Sequence, residues 1–384
     1  MPPANALLVA LDRLPAYDLG SDHPFAKDRL APLVDLLRRM RLVEPRELLA
    51  TDPASDEDLL DLHTAEYVET LKALGRSAPS PALLARAWRH GLGDGDNPIA
   101  PGQHEAAAAV AGATLACVRA VLAGTTLRAF NPAGGLHHAF ADRASGFCLY
   151  NDLVLGIRAA RAGGMARVLY VDYDVHHGDG VEAAFAGDPT VMTISFHQDP
   201  DTLFPGTGRI EDLGQGSARG TKVNVPLAPG TGDASWLAAV EALLPPLAER
   251  FRPELVVTQH GCDTHWSDPL AQLQLTTGAM LEAARLTRAV ADRHCGGRWV
   301  ATGGGGYQPY RVLARAFAMV WLVMSDRPVP ERIDEGWLAA WSARSGGGLP
   351  EFFLDPRREG AGSPRAAETN TRTVTALRQL LGLA

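Results

Sequence analysis

Two aspartates and a histidine alternate with other residues directly after a short apolar run. Asp172, Asp174 and His176 follow the run at 167–171, RVLYV. Alternate side chains of an extended strand point to the same face, so the pattern predicts two carboxylates and an imidazole converging at the end of a strand. Neighbouring carboxylates repel each other and are costly to bury unless a cation lies between them. The pattern therefore favours a metal site over its alternative, a solvated strand end.

A third metal ligand is expected from the segment HGCDTHWSDP. Its first acid, Asp263, follows another apolar run, at 254–258. Two carboxylates and one imidazole with an open position suit Zn²⁺ or Fe²⁺ acting as a Lewis acid. A further carboxylate would indicate a binuclear manganese site, but the only candidate, Asp268, lies further along the loop and before a proline. Packing, or a hydrogen bond to a ligand, explains His265 better than metal ligation does.

Adjacent histidines form a second candidate cluster. His137 and His138 follow the turn NPAGG, in which two glycines let the backbone approach a ligand closely. Near a metal-bound water, such imidazoles could act as a general base and as a stabiliser of charge. Asp172 and Asp179 are natural carboxylate partners that would orient the two rings. An isolated pair of histidines would instead be interpreted as part of a surface loop.

A run of glycines, Gly303 to Gly306, ends in Tyr307. No lysine, serine or threonine follows in the P-loop pattern, so the run is a weak indication of a phosphate-binding loop. A plain turn is one interpretation. The other is a flexible turn that delivers a tyrosine hydroxyl to the site, where a phenol can donate a hydrogen bond to a developing oxyanion.

The polar clusters share one position relative to the predicted strands, because each lies just after a short apolar run. The five runs are 126–130, 167–171, 190–196, 254–258 and 298–302. Their β-branched content and spacing suit parallel strands joined by helical crossovers. Ligands bind at the carboxyl ends of the strands in such sheets. The pattern therefore predicts one site assembled from distant parts of the chain.

Three other segments have a predicted structure. The apolar run from Ala6 to Leu11 is expected to be a buried first strand, and the Ala-rich stretch from Glu105 to Val121 a buried helix. Residues 370–383 form a plausible last helix, in a tail after residue 335 that shows no chemistry of its own.

Composition and charge argue against several classes of protein. The 36 basic and 44 acidic side chains give a net charge of −8, which offers no electrostatic basis for nucleic-acid binding. The four cysteines have no paired spacing, so neither a disulfide framework nor a CxxC metal site is indicated. The longest uninterrupted apolar run, Ala316 to Met324, is shorter than the roughly 18 residues of a membrane span. We therefore expect a cytoplasmic protein that binds neither nucleic acid nor membranes.

Taken together, the motifs resemble those of the histone deacetylase superfamily, and most closely its bacterial acetoin utilization branch, the AcuC family. They occur in order from about residue 20 to 320. The matching segments are HPFAKDR, LHTAEYV, GLGDGDNP, NPAGGLHHA, GFCLYND, VLYVDYDVHHGDGVEAAF, FPGTG, GCDTHWSDPL and TGGGGYQPYR. The resemblance implies a single-domain α/β fold of arginase-like type, with a central, mostly parallel sheet and helices on both faces. Residues 1–335 would form the catalytic domain, and 336–384 a carboxyl-terminal extension packed on it or trailing from it.

The resemblance also implies a role for each matching residue. The metal ligands would be Asp174, His176 and Asp263. The catalytic residues would be His137 and His138, their carboxylate partners Asp172 and Asp179, and the transition-state tyrosine Tyr307. Substrate contacts would come from the tunnel residues Gly146, Phe147 and Phe204, the mouth residue Leu270, the rim residue Asp96, and Arg29 in an internal channel for acetate exit. Asp94, two residues before Asp96, leaves open which acid grips the substrate. A structural K⁺ would be bound by Asp172, Asp174, His176, Ser195 and the Phe196 carbonyl.

The activity implied by the resemblance is hydrolysis of the acetyl amide of Nε-acetyl-lysine in proteins by a metal-activated water. The cofactors would be Zn²⁺, with Fe²⁺ as the alternative, and a structural K⁺. The partner would be an acetylated protein or peptide, of which acetyl-CoA synthetase is a family example. Three alternatives stay open: a deacetylase of acetylpolyamines or other small molecules, a binuclear manganese ureohydrolase, and a non-enzymatic module that binds acyl-lysine.

Overall fold

A computed structural model of the chain describes residues 5–20, 22–76, 79–358 and 362–383. Within these ranges, eight strands form one sheet in the order β2-β1-β3-β8-β7-β4-β5-β6, and every strand pair is parallel. The strands are β1 Ala6–Val9, β2 Leu48–Leu49, β3 Arg128–Asn131, β4 Val168–Asp172, β5 Val191–Gln198, β6 Lys222–Leu227, β7 Leu255–Gln259 and β8 Trp299–Thr302. The predicted parallel sheet is confirmed.

Twelve α-helices in the same ranges surround the sheet. They are α1 Ala31–Arg39, α2 Asp56–Leu60, α3 Ala65–Arg76, α4 Pro81–Arg89, α5 Gln103–Leu122, α6 Asp152–Ala162, α7 Asp179–Phe185, α8 Asp233–Phe251, α9 Thr277–His294, α10 Ala314–Met324, α11 Glu335–Ser342 and α12 Pro364–Leu381. A single π-helical turn, Pro309–Leu313, leads into α10.

Both faces of the sheet are covered, which is why its strands are apolar throughout. In β4, Leu169 and Val171 belong to the core cluster shared with α8, α9 and α10. Val168 and Tyr170, which alternate with them, belong to a second cluster shared with α5, α6 and α7. The prediction of helices on both faces is confirmed.

Short apolar runs in the sequence located five central strands to within about two residues, whereas two edge strands were missed. The five predicted runs form β3, β4, β5, β7 and β8, and the predicted first strand forms β1 over its first four residues. Strand β2 has only two residues, too few to form a pattern. Strand β6 contains Pro226, which usually argues against a strand. It is tolerated because β6 is the edge strand of the sheet.

The Ala-rich segment predicted to be a buried helix is α5. By length and composition alone this helix could cross a membrane, but 72% of its most apolar window is buried inside the protein. It packs against α6 and β3. Burial in the core therefore accounts for its apolar composition.

The last part of the chain packs back onto the sheet and its helices. Helix α12 begins at Pro364, six residues before the predicted start, and lies against α8 and β6. Upstream of it, Phe353 is completely buried in the main core cluster. The domain boundary at residue 335 stays a prediction.

Candidate active site

The aspartates and histidine that alternate after β4 come together, but not in the way that a strand would bring them. Strand β4 ends at Asp172, and the next residues form bends. The backbone N–H of Asp174 donates to Asp172 Oδ1 at 3.1 Å, and that of His176 donates to Asp174 Oδ1 at 3.0 Å. Each acid thus holds the residue two positions later, a turn geometry typical of aspartate. The predicted strand extension is wrong, although the convergence that it implied is present.

Three buried side chains form a group that could hold a metal ion. The ligand atoms of Asp174, His176 and Asp263 all lie within 4.8 Å of one another. His176 Nδ1 is 3.0 Å from Asp174 Oδ1 and 3.2 Å from Asp263 Oδ2. Burial and the charge of Asp174 raise the pKa of Asp263 to about 8. A cation would relieve this repulsion, so the donor set fits a metal of the kind predicted from the sequence.

The two carboxylates are held in place by groups outside the ligand set. Asp174 Oδ2 accepts hydrogen bonds from Gln259 Nε2 at 2.6 Å and from the backbone N–H of Gly305 at 2.8 Å. Asp263 Oδ1 accepts the backbone N–H of Val175 at 3.0 Å. Such partners orient ligands and tune their affinity for a metal. A Cβ at Gly305 would collide with both carboxylates, which explains a glycine at that position.

The adjacent histidines lie beside this group, each bound to its predicted carboxylate. His137 Nδ1 is 2.7 Å from Asp172 Oδ2, and His138 Nδ1 is 2.7 Å from Asp179 Oδ1. The two Nε2 atoms are 3.0 Å apart, within hydrogen-bond distance of each other. The pairing predicted from the sequence is present in the structure.

The two rings have different protonation states. Burial favours the neutral form of His137, but the charges of Asp172 and Asp174 outweigh this effect and raise the pKa of His137 to about 9. Burial and the neighbouring His137 lower the pKa of His138 to about 4. Before any metal ion is bound, these pKa values correspond near neutral pH to a cationic His137 and a neutral His138. A neutral imidazole can accept a proton, whereas a cationic one can stabilise negative charge or donate a proton.

Two residues that sequence reasoning did not single out hold the histidine loop. Asp152 accepts the backbone N–H groups of Gly135 and Leu136, at 3.1 and 2.8 Å. Asn151 Nδ2 donates to the backbone oxygen of His137 at 3.2 Å. Both residues stand in the GFCLYND segment, where an asparagine and an aspartate beside apolar residues were the available signal. Gln259 was also missed, although it is a polar residue at the carboxyl end of β7.

Tyr307 enters the site from the glycine run, as one interpretation of that run predicted. Its ring packs edge-on against Phe147, with centroids 6.0 Å apart. Its backbone N–H donates to Asp268 Oδ2 at 2.9 Å. Burial, together with the charges of Asp263 and Asp174, raises the pKa of Tyr307 well above its ordinary value. The phenol therefore stays protonated and can act as a hydrogen-bond donor.

Asp268 is closer to the site than its place in the sequence suggested. It is buried, and its Oδ1 accepts the backbone N–H of Leu270 at 3.0 Å while its Oδ2 accepts that of Tyr307. It does not belong to the three-residue group found in the described part of the chain. Its carboxylate thus connects two loops of the site and is not one of the grouped ligands.

A cavity of about 210 Å³ opens to the surface and reaches His138, His176 and Tyr307. It brings together most of the residues predicted to bind substrate, with Leu203 as an addition. Its lining residues are Asp96, His138, Gly146, Phe147, His176, Leu203, Phe204, Leu270 and Tyr307. At Gly146 the backbone has a φ of 49°, and a Cβ would lie 2.5 Å from the His138 ring. Only glycine allows the wall of the cavity to approach that ring so closely.

The two acids at the mouth of this cavity differ in their contacts. Asp96 lines the cavity. The carboxylate of Asp94 folds back on its own loop and accepts the backbone N–H groups of Asp96 and Asn97, at 3.1 and 2.6 Å. Of the two, Asp96 is therefore the one that lines the cavity.

Arg29 lies outside this cavity. It is buried, and its Nη2 donates to the backbone oxygen of Gly304 at 2.5 Å. It lines a second cavity of about 320 Å³, together with Tyr17 and Phe25. The structure thus separates Arg29 from the predicted tunnel residues and joins it to the loop that carries Tyr307.

The residues predicted to bind K⁺ lie on two neighbouring strands and the turn after β4. Asp172 is the register partner of Ser195 in the β4–β5 pair, and Phe196 follows it. Ser195 Oγ is hydrogen-bonded to His197 Nδ1 at 2.8 Å. Potassium binding stays a prediction.

His177, the residue after the predicted ligand His176, points away from the metal group. Its ring is hydrogen-bonded to Thr207 and Glu182.

The chain is similar in sequence to known proteins over most of its length. A family model described as the histone deacetylase domain matches residues 23–324. The acetoin utilization protein AcuC of Bacillus subtilis is 38% identical over 362 residues, which cover 94% of this chain and 93% of that protein. AcuC of Staphylococcus aureus strain MSSA476 is 33% identical, with 94% and 92% covered.

Two solved structures are similar over nearly their whole length. A histone deacetylase homologue complexed with SAHA superposes with a TM-score of 0.85 at 33% identity, covering 98% of this chain and all of that one. A homologue from Aquifex aeolicus gives the same TM-score and identity, covering 96% of this chain.

Proposed function

The chain belongs to the histone deacetylase family, and we propose that it hydrolyses the acetyl amide of Nε-acetyl-lysine in proteins. One observation carries this proposal. A single cavity is lined by His138, His176 and Tyr307 together with two apolar rings, of which Phe204 packs against His138 and Phe147 against Tyr307. Apolar walls beside these polar groups suit an uncharged acyl-lysine chain.

The metal would be held by Asp174, His176 and Asp263, with Zn²⁺ as the proposed ion and Fe²⁺ as the alternative. When bound, such an ion polarises a carbonyl oxygen and lowers the pKa of a water molecule from 15.7 toward about 7.

The adjacent histidines would move the protons. His138 is neutral, and its Nδ1–H is directed at Asp179, so its Nε2 can accept the proton of the attacking water. His137, cationic beside Asp172, would stabilise the negative charge that develops nearby. A protonated histidine of the pair would then donate a proton to the leaving lysine amine. This order of proton transfers depends on the difference between the pKa of His137 and the pKa of His138.

Tyr307 would donate its hydroxyl hydrogen to the amide oxygen as that oxygen becomes negative. Its raised pKa keeps the proton on the phenol. Asp268 would hold the backbone of Tyr307 so that the ring faces the cavity. Asp96, at the mouth, would accept hydrogen bonds from the backbone of a peptide substrate. We further propose that the physiological substrate is an acetylated protein, with acetyl-CoA synthetase as the family example.

The experiment that tests this function is a deacylation screen with metal analysis on the same purified protein. The substrates are acetyl-lysine peptides, longer acyl-lysine peptides and acetylpolyamines. We expect release of acetate from acetyl-lysine peptides and one metal ion per chain. Two metal ions per chain would favour a binuclear hydrolase, and binding of acetyl-lysine without turnover would favour a non-enzymatic module.

Substrate choice can be tested at the mouth of the cavity. An acetylpolyamine carries a cationic amine, and Leu270 offers it no charged partner, so desolvating that amine beside Leu270 would be unfavourable. We predict that Leu270→Glu shifts the ratio of kcat/KM for N8-acetylspermidine over an acetyl-lysine peptide by about fivefold toward the polyamine, on the order of 1 kcal/mol for a partly solvated charge pair.

The matched control is Leu270→Gln, which has the same length as glutamate without its charge and should leave the ratio near the wild-type value. A wild type that hydrolyses the polyamine as well as the peptide would contradict the preference, with Asp96 as the group that could supply the missing charge.

A further inference from the structure

The part of the chain after residue 324 lies outside the region that the family model matches. Residues 351–358, which we call the carboxyl-terminal clamp, lie against the metal-binding loop, residues 261–268. The clamp is anchored in the fold, because Phe353 is completely buried and Phe352 pairs with Arg332 in an antiparallel bridge. Sequence motifs gave no role to this segment.

A buried carboxylate of the clamp contacts the metal-binding loop directly. Asp355 Oδ2 is 2.9 Å from His265 Nε2, and the two side chains are only 7% and 2% exposed. The backbone N–H of Ser267 donates to His265 Nδ1 at 3.2 Å, so the ring proton is on Nε2 and points at Asp355. This hydrogen bond fixes the middle of the loop, between its two acids.

The same carboxylate binds a buried guanidinium. Asp355 Oδ1 accepts a hydrogen bond from Arg315 Nη2 at 2.9 Å, and Arg315 is 1% exposed. Arg315 lies in α10, which follows the loop that carries Tyr307. Although burial opposes ionisation, the hydrogen bond from His265 and the charge of Arg315 hold the pKa of Asp355 well below its ordinary value. One anion therefore connects the metal-binding loop with the helix after the tyrosine.

The contacts continue from His265 to the reacting groups. The backbone oxygen of His265 accepts the N–H of Asp268 at 2.9 Å, and Asp268 in turn accepts the N–H of Tyr307. On the outer side of the loop, the guanidinium of Arg358 lies 4.3 Å from the ring centroid of Trp266. A shift of His265 would therefore be transmitted to Tyr307 through Asp268, and along the backbone to the ligand Asp263.

We propose that Asp355 is a positioning residue, which holds the metal-binding loop through His265 so that Asp263 and Tyr307 keep their places. This inference rests on the proposed deacetylase function for its effect on turnover. Its effect on metal binding and loop order does not depend on that function. The clamp is thus part of the active-site architecture, although it lies outside the matched family domain.

The test compares Asp355→Asn with Glu351→Gln in the full chain. Both changes remove one clamp carboxylate, but Glu351 is 58% exposed and pairs only with the exposed Arg332 among the described ion pairs. We expect Asp355→Asn to weaken Zn²⁺ binding in a chelator competition by about 10–100-fold, the usual effect of losing a partner outside the ligand set. We also expect faster amide hydrogen exchange within residues 261–268 of the metal-free protein, and a fall in kcat with little change in KM. Glu351→Gln should change none of these.

Zn²⁺ affinity and loop exchange that stay within twofold of wild type would overturn the proposal, even if the melting temperature fell. A uniform rise in exchange over the whole chain would also overturn it, because that indicates a merely structural role. If Asp355→Asn does not fold, His265→Gln decides the question, since it leaves the Arg315–Asp355 pair intact. Weaker Zn²⁺ binding and faster exchange within residues 261–268 of His265→Gln would support the proposal, and the absence of both effects would refute it. A wild type without deacetylase activity would contradict the function proposed above, whereas these metal-binding and exchange readouts test the clamp separately.

Discussion

Replacement of Tyr307 by phenylalanine is expected to lower kcat by about 10²–10³ while the protein keeps its fold and its metal. The change removes one hydroxyl, and loss of a single oxyanion donor typically has this effect. The ring would keep its edge-on contact with Phe147, and the backbone N–H would keep its bond to Asp268. KM should change little, because the hydrogen bond gains strength only as charge develops on the amide oxygen.

The measurement is steady-state hydrolysis of an acetyl-lysine peptide, with metal content determined on the same sample. Tyr310→Phe is the matched control, since it removes the same hydroxyl three residues away, from a ring that packs against Trp341. It should retain full activity. A Tyr307→Phe variant whose kcat stays within about threefold of wild type, a loss of under ~1 kcal/mol, would show that the phenol is not an oxyanion donor.

The parts of the fold that could be predicted are those with a local signal. Short apolar runs followed by polar clusters identified β3, β4, β5, β7 and β8, because each buried parallel strand has its pattern within four to eight residues. The edge strands lacked that signal. A length of only two residues in β2 and a proline in β6 removed it.

In the candidate site too, the sequence predicted only part of the structure. Convergence of Asp172, Asp174 and His176 was predicted from alternation, yet the structure achieves it with turns in which each carboxylate binds a backbone N–H two residues later. Alternation in a strand and this series of turns give the same sequence spacing. Spacing alone therefore predicted which side chains meet, but not the backbone conformation that brings them together.

The long-range contacts of Asp355 and Asp268 gave no signal in the sequence. Asp355 and His265 are separated by 90 residues, and neither belongs to a motif that requires the other. Asp268 was set aside as a ligand because of its distance along the loop, and the structure adds that its two oxygens bind the backbone of Leu270 and Tyr307. Such roles depend on which loops pack together, which is decided by the tertiary fold.

The acids of the metal-binding loop should differ sharply when each is replaced. Asp263→Ala is expected to abolish metal binding, as is Asp174→Ala, because each removes one of three ligands from a buried group. The loss should exceed the 10–100-fold effect of changing a partner outside the ligand set. Asp268→Ala is expected to retain one metal ion per chain, because its carboxylate serves two backbone N–H groups.

Metal analysis of the three purified variants, with circular dichroism to confirm folding, makes this comparison. Asp268→Ala should still lose turnover, since the Tyr307 backbone would lose its hydrogen bond. Asp268→Ala would therefore keep its metal ion but lose activity, whereas Asp263→Ala and Asp174→Ala would lose both. If wild-type protein bound two ions and Asp268→Ala lost one of them, the loop would supply ligands to a binuclear centre. The proposed assignment of water activation to a single ion and the His137–His138 pair would then be wrong, because a second ion could do the work here assigned to the histidines.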